Sequence, residues 1–119
     1  MCEEMNYWKR LFVASAFSLA MLKYSPSQLT VIKLDDEAAK RTVEGSEFIS
    51  IVGHESTAKM MTELLGVPIP VNRSMVQLEP GDIVLVFQIM VRLPEGKVLT
   101  LEELKETPHA WYKVYISEP

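Results

Sequence analysis

Phe48-Ile49-Ser50-Ile51-Val52-Gly53-His54-Glu55-Ser56-Thr57 runs directly into Ala58-Lys59-Met60-Met61-Thr62-Glu63-Leu64-Leu65-Gly66, and the reading of this stretch decides the fold class. It opens on a short apolar, β-branched run that suits a buried strand. Gly53 permits a sharp turn. Glu55, Ser56 and Thr57 all favour a helix start. Ala58, Met61, Leu64 and Leu65 then recur at helical spacing, and Gly66 stops the helix. One of the two histidines in the chain therefore stands where a strand turns into a helix. Unpaired backbone N–H groups and the helix dipole favour an anion at such a point.

The same alternation extends in both directions. Upstream, residues 8–14 read as a first strand, and residues 15–18 break it. Ser18 is a suitable N-cap for a helical turn over residues 19–24, which ends before Pro26. The alternative is a single amphipathic helix over residues 8–24, which periodicity alone does not separate from strand plus turn. Residues 29–34 alternate and read as a second strand. Residues 35–41 place acids first and bases last, which suits a short exposed helix. Downstream, Pro68 and Pro70 make residues 66–70 an extended connection. Residues 75–78 read as a short strand and residues 79–82 as a Pro-Gly turn.

Residues 83–90 are almost wholly apolar, which predicts a central strand covered on both faces by helices. Gln88 is the polar intruder, expected to reach a hydrogen-bonding site at the strand end because an unpaired buried amide costs about 1–3 kcal/mol. Residues 91–97 read as a loop. Thr100 and Glu103 form a capping box for a helix over 101–106, Pro108 ends it, and residues 110–117 form a last strand. Met60, Met61 and the 83–87 run belong to the core. Trp111, Tyr112 and Tyr115 read as strand packing, and His109 as surface. The sum is an α/β fold, a single domain over residues 1–119 with a central mixed sheet of about five strands flanked by helices. Residues 1–6 read as a loose terminus.

Composition narrows the function. The chain is 119 residues long, 48% hydrophobic and 24% charged, which is ordinary for a globular domain. A single cysteine, Cys2, allows neither an internal disulfide framework nor a cysteine metal site, in keeping with a reducing cytoplasm. A formal charge of −4 argues against a broad surface for duplex nucleic acid, while leaving room for a small anion held by a few arginines. The apolar run over residues 11–22 is too short and too interrupted to span a membrane, and Glu3 and Glu4 before it do not suit a signal peptide. Two histidines without a paired-ligand spacing give no zinc motif. No phosphate-binding glycine loop or dinucleotide fingerprint is present, and the chain predicts no cofactor.

What remains is a set of strand-end and loop residues, Ser18, His54, Arg73, Gln88, Arg92 and Glu95, which an open α/β sheet can gather at one edge. Each also has a structural explanation. His54 can be an exposed helix-start residue, Ser18 a simple cap, Gln88 a partner for a neighbouring backbone group, and the arginines solvated loop charges.

A resemblance sharpens the choice. Ala14-Ser15-Ala16-Phe17-Ser18, Gly53-His54-Glu55-Ser56-Thr57, Asn72-Arg73, Phe87-Gln88-Ile89 and residues 92–103, from Arg92-Leu93-Pro94-Glu95-Gly96-Lys97 onward, follow one another in the order found in the viral ring nucleases. That family comprises anti-CRISPR proteins of archaeal viruses and bacteriophages, with relatives beside cellular type III CRISPR systems. The chain resembles it from about residue 10 to residue 116. The resemblance implies a two-fold homodimer that cuts cyclic tetraadenylate, without metal, into linear di-adenylate ending in a 2′,3′-cyclic phosphate. It implies His54 as the catalytic histidine, with Glu95 as a loop glutamate that orders a lid or assists proton transfer. It implies ligand contacts from Ser15, Ser18, Gly53, Arg73, Gln88 and Arg92. Ser15 departs from the asparagine usual in the family, which keeps a hydrogen-bonding side chain but removes an amide. The rival reading is a protein that sequesters a cyclic oligonucleotide without cutting it. A structural protein using its aromatic C-terminal strand to bind a partner is the third possibility.

Overall fold

The computed structural model describes residues 10–91 and 99–118. Arg92 and Glu95, with the rest of residues 92–98, lie outside the described residues, as do residues 1–9 and 119. The elements run β1 (Leu11–Ala14), a 3-10 turn (Leu19–Met21), β2 (Gln28–Leu34), α1 (Asp36–Val43), β3 (Ile49–Ser50), α2 (Glu55–Leu65), β4 (Ile83–Ile89), α3 (Leu101–Glu106) and β5 (His109–Ser117). The strands form one mixed sheet in the order β2-β5-β4-β1-β3. β1 lies parallel to both β3 and β4, with Ala14 opposite Val86 and Val13 opposite Ser50. β5 is antiparallel to β4 and to β2. The α/β class and the five-stranded mixed sheet expected from the sequence are both present.

Local chemistry accounts for the helix limits. Asp35 caps α1 by accepting from the Ala38 N–H at 2.8 Å, and the acids of its first turn and bases of its last complement the dipole. Gly66 ends α2 at φ +74°, a left-handed conformation that favours glycine. The Thr100–Glu103 capping box is formed in both directions, at 3.2 and 2.9 Å.

All three α-helices pack on one face of the sheet. Val13, Leu85, Phe87 and Trp111 meet Ala39 and Val43 of α1, Ala58, Met61 and Leu65 of α2, and Leu104 of α3. Phe87 and Trp111 are tilted rings 4.7 Å apart. Each such ring buries about 150–250 Å², worth roughly 4–6 kcal/mol of transfer free energy before entropy is subtracted.

This corrects the expectation of helices on both faces of β4. The opposite face carries Phe12, Ala14, Val84, Val86, Val114 and Ile116, and it is covered in part by Met21 of the 3-10 turn and by Phe17, Leu22, Val76 and Leu78 from irregular segments. Toward β2 it stays open, with Val31 57% and Leu19 71% exposed. A continuous apolar run reports burial of a strand, not the kind of element that covers it.

Three smaller expectations also change. Residues 75–78 do not form a strand, although Leu78 makes an isolated bridge to Leu22. The turn after Ser18 is a single 3-10 turn, and β1 excludes one helix through this region. His109 is not a surface residue. Its side chain is 9% exposed and bonds Asp36 Oδ1 at 2.8 Å through Nε2 and the Thr107 carbonyl at 2.7 Å through Nδ1.

Candidate functional site

Parallel strands β1, β3 and β4 all deliver their carboxyl ends to one edge of the sheet. Ser15 follows β1, Gly53 and His54 follow β3, and Gln88 is the penultimate residue of β4. Ligands bind at this edge in open α/β sheets because the chain leaves the strands there as loops and helix starts.

His54 is the N-cap residue of α2, in extended conformation, and its carbonyl accepts the Ala58 N–H at 2.9 Å. Its imidazole does not cap the helix and is exposed. Among the described residues neither ring nitrogen has a hydrogen-bond partner. The first-turn N–H groups of α2 thus remain available beside a ring able to give or take a proton.

Arg73 comes to this point from another segment. Its Nε donates to the Gly53 carbonyl at 2.7 Å. A methyl group at position 53 would lie 3.2 Å from the Arg73 Cγ, so the glycine also permits the arginine to approach. Among the described residues the guanidinium is held through Nε. Among the described residues its terminal nitrogens have no acceptor, and they keep the forked geometry that suits a phosphate.

Ser15 and Gln88 line a single cavity of about 500 Å³ on the open face, with Phe17, Leu29, Val31 and Tyr112. Gln88 is exposed, so its amide does not carry the burial cost on which the expected hydrogen-bonding site at the strand end rests. Ser18 caps its turn by accepting from the Ala20 N–H at 3.2 Å, which leaves its own hydroxyl hydrogen to donate. β4 and β3 are separated by β1, so their ends stand about 10 Å apart at ordinary strand spacing. The described residues therefore form two groups, Gly53-His54-Arg73 and Ser15-Gln88, on one edge.

Asn72, to which the sequence alone gives no role, ties the Arg73 segment to β3. Its side-chain Nδ2 donates to the Ser50 carbonyl at 2.8 Å. No local pattern signals this, because the two residues are 22 positions apart.

A second cavity, of about 480 Å³, lies along α2 between Glu55, Lys59, Glu63, Ile69, Val71 and Leu99. No helix among the described residues is long and apolar enough to cross a membrane.

The comparisons agree with this architecture. B116 of Sulfolobus turreted icosahedral virus is a solved structure with a TM-score of 0.81 and 34% identity, matched over 89% of this chain and 98% of that one. Protein 26 of Sulfolobus islandicus filamentous virus is 45% identical over 91 residues, 73% of this chain and 77% of its own length. ORF117 of Acidianus two-tailed virus is 35% identical over 82 residues, 66% of this chain and 70% of its own. The STIV B116-like family profile matches residues 11–113, and the chain belongs to that family.

Proposed function

We propose that this protein is a ring nuclease that cleaves cyclic tetraadenylate into linear di-adenylate with a 2′,3′-cyclic phosphate, thereby switching off type III CRISPR ancillary nucleases. The observation that carries this reading is the pairing at the end of β3. An imidazole without a hydrogen-bond partner among the described residues, on a helix N-terminus, stands one residue from a carbonyl that pins an arginine. An internal phosphodiester needs both functions there.

The ring supplies its own nucleophile. A ribose 2′-hydroxyl attacks the adjacent phosphorus and loses its proton to solvent, and the bond from phosphorus to the 5′-oxygen breaks. His54, protonated, gives its proton to that leaving oxygen, a role worth about 10²–10⁴-fold. Arg73 and the α2 N-terminus hold the phosphate in line, where orientation contributes most. No metal is required to generate the nucleophile. Gln88, Ser15 and Ser18 contact the rest of the ring; the resemblance adds Arg92 and Glu95, which lie outside the described residues.

A four-fold ligand with two equivalent cuts calls for two copies of His54. The open sheet face, with Leu19 and Val31 exposed, is the surface on which a second copy packs, as an isologous interface. The relatives from archaeal viruses support a viral role, and the proposed messenger would be met in the host cytoplasm.

The test is incubation of the purified protein with cyclic tetraadenylate in EDTA, with products resolved by chromatography. Linear di-adenylate cyclic phosphate is expected. Retention of intact ring on the protein would instead make it a sequestering protein.

A further inference from the structure

The segment that carries Arg73 is neither helix nor strand, yet it is fastened along its length. The Ile69 N–H donates to Thr62 Oγ1 at 2.9 Å, and Ser50 Oγ donates to the Pro70 carbonyl at 2.6 Å. Val71 forms a parallel bridge with Val52. These contacts bring the chain alongside residues 50–53 but leave the direction of position 73 open.

Asn72 fixes that direction with four groups. Its backbone N–H donates to the Val52 carbonyl at 2.8 Å, and its backbone carbonyl accepts the Ser74 N–H at 3.1 Å. Its amide Nδ2 donates to the Ser50 carbonyl at 2.8 Å, while its Oδ1 accepts from Ser74 Oγ at 2.6 Å. The Ser50 carbonyl can only accept, so it selects the amide over a carboxylate of the same shape. Arg73 lies between the two clamped residues, and its Nε reaches the Gly53 carbonyl at 2.7 Å.

We propose that Asn72 is a positioning residue, which presets the Arg73 guanidinium at the Gly53 carbonyl, one residue before His54, ahead of any ligand. The ligand this serves rests on the ring-nuclease reading; the geometry does not. An arginine on a free loop must give up side-chain freedom when it grips a phosphate, and a preset one has already done so. Ser74 supports the arrangement through the Asn72 oxygen. Arg73 touches the ligand, and Asn72 acts through it.

A double-mutant cycle on cyclic tetraadenylate binding tests the proposal, with urea melts to establish that each variant is folded. Asn72→Ala is expected to weaken binding on the order of 10- to 100-fold, the scale of an ångström-sized misplacement. In an Arg73→Ala background the same change is expected to cost nothing further, since coupled residues are non-additive. Ser74→Ala, at an exposed position, is expected to give a smaller loss with the same pattern. NMR adds a readout independent of the ligand, because Arg73 Nε–H exchange is expected to accelerate in Asn72→Ala. If the wild type does not bind the ring, the ring-nuclease reading fails and the exchange measurement decides the proposal alone. An equal loss in both backgrounds, or unchanged Nε–H exchange, overturns it.

Discussion

Replacing Asp82 should unfasten the end of the sheet opposite the candidate site. The Asp82 side chain is fully buried. It accepts Arg10 Nε at 3.1 Å, Arg10 Nη2 at 2.6 Å and the Glu79 N–H at 2.8 Å. These bonds join the start of β1 to the turn before β4, and they raise the Arg10 pKa above its ordinary value. Breaking a buried ion pair costs about 3–5 kcal/mol in full. The Arg10 side chain is 37% exposed, so the freed guanidinium regains water, and the lower end of that range applies. Asp82→Ala is therefore expected to lose about 3 kcal/mol, and Asp82→Asn about half of that because one oxygen acceptor remains. For a chain of this size, that loss lowers Tm by roughly 10–15 °C. Urea denaturation at fixed protein concentration is the assay, with an unchanged m-value expected. Ligand affinity of the folded variant should be retained, because Asp82 lies at the other end of β4 from Gln88. An Asp82→Ala stability within about 0.5 kcal/mol of wild type would refute the reasoning.

Two further predictions concern other parts of the fold. Asp36→Ala removes the oxygen that takes both His109 Nε2 at 2.8 Å and Trp111 Nε1 at 2.7 Å. The Trp111 side chain is fully buried, so its stranded N–H should cost about 2 kcal/mol in a urea melt; a neutral effect would show that the indole finds another acceptor. Val31→Glu introduces a charge on the open sheet face while leaving monomer stability within about 0.5 kcal/mol. Sedimentation should then show a weaker dimer, and an unchanged dimer would place the second copy elsewhere.

The sequence disclosed those features whose causes are local. Gly66 and the Thr100–Glu103 box were legible because a left-handed stop and a reciprocal cap involve residues within one turn. The strand-to-helix turn at Gly53-His54 was legible for the same reason. What pairs across distance was not. Asp36 meets His109 and Trp111 across more than 70 positions, and Arg10 meets Asp82 across 72. His109 therefore reads as a surface residue from its neighbours alone. The one-sided packing of β4 was hidden because residues 83–87 are buried in the same way by a helix or by an irregular segment. Within the site, Arg73 could be proposed from resemblance, but its approach to Gly53 depends on Asn72 and on the missing Cβ at position 53. Ser15 and Gln88 were named separately, and the parallel register of β1 and β4 is what makes them share a cavity.

Cleavage and binding by His54→Ala, measured side by side on cyclic tetraadenylate in EDTA, tests the central claim most directly. Loss of the proton donor predicts cleavage slowed about 10²–10⁴-fold, with affinity close to wild type because Arg73 and the strand-end residues still hold the ring. Cleavage by His54→Ala at the wild-type rate would contradict the account.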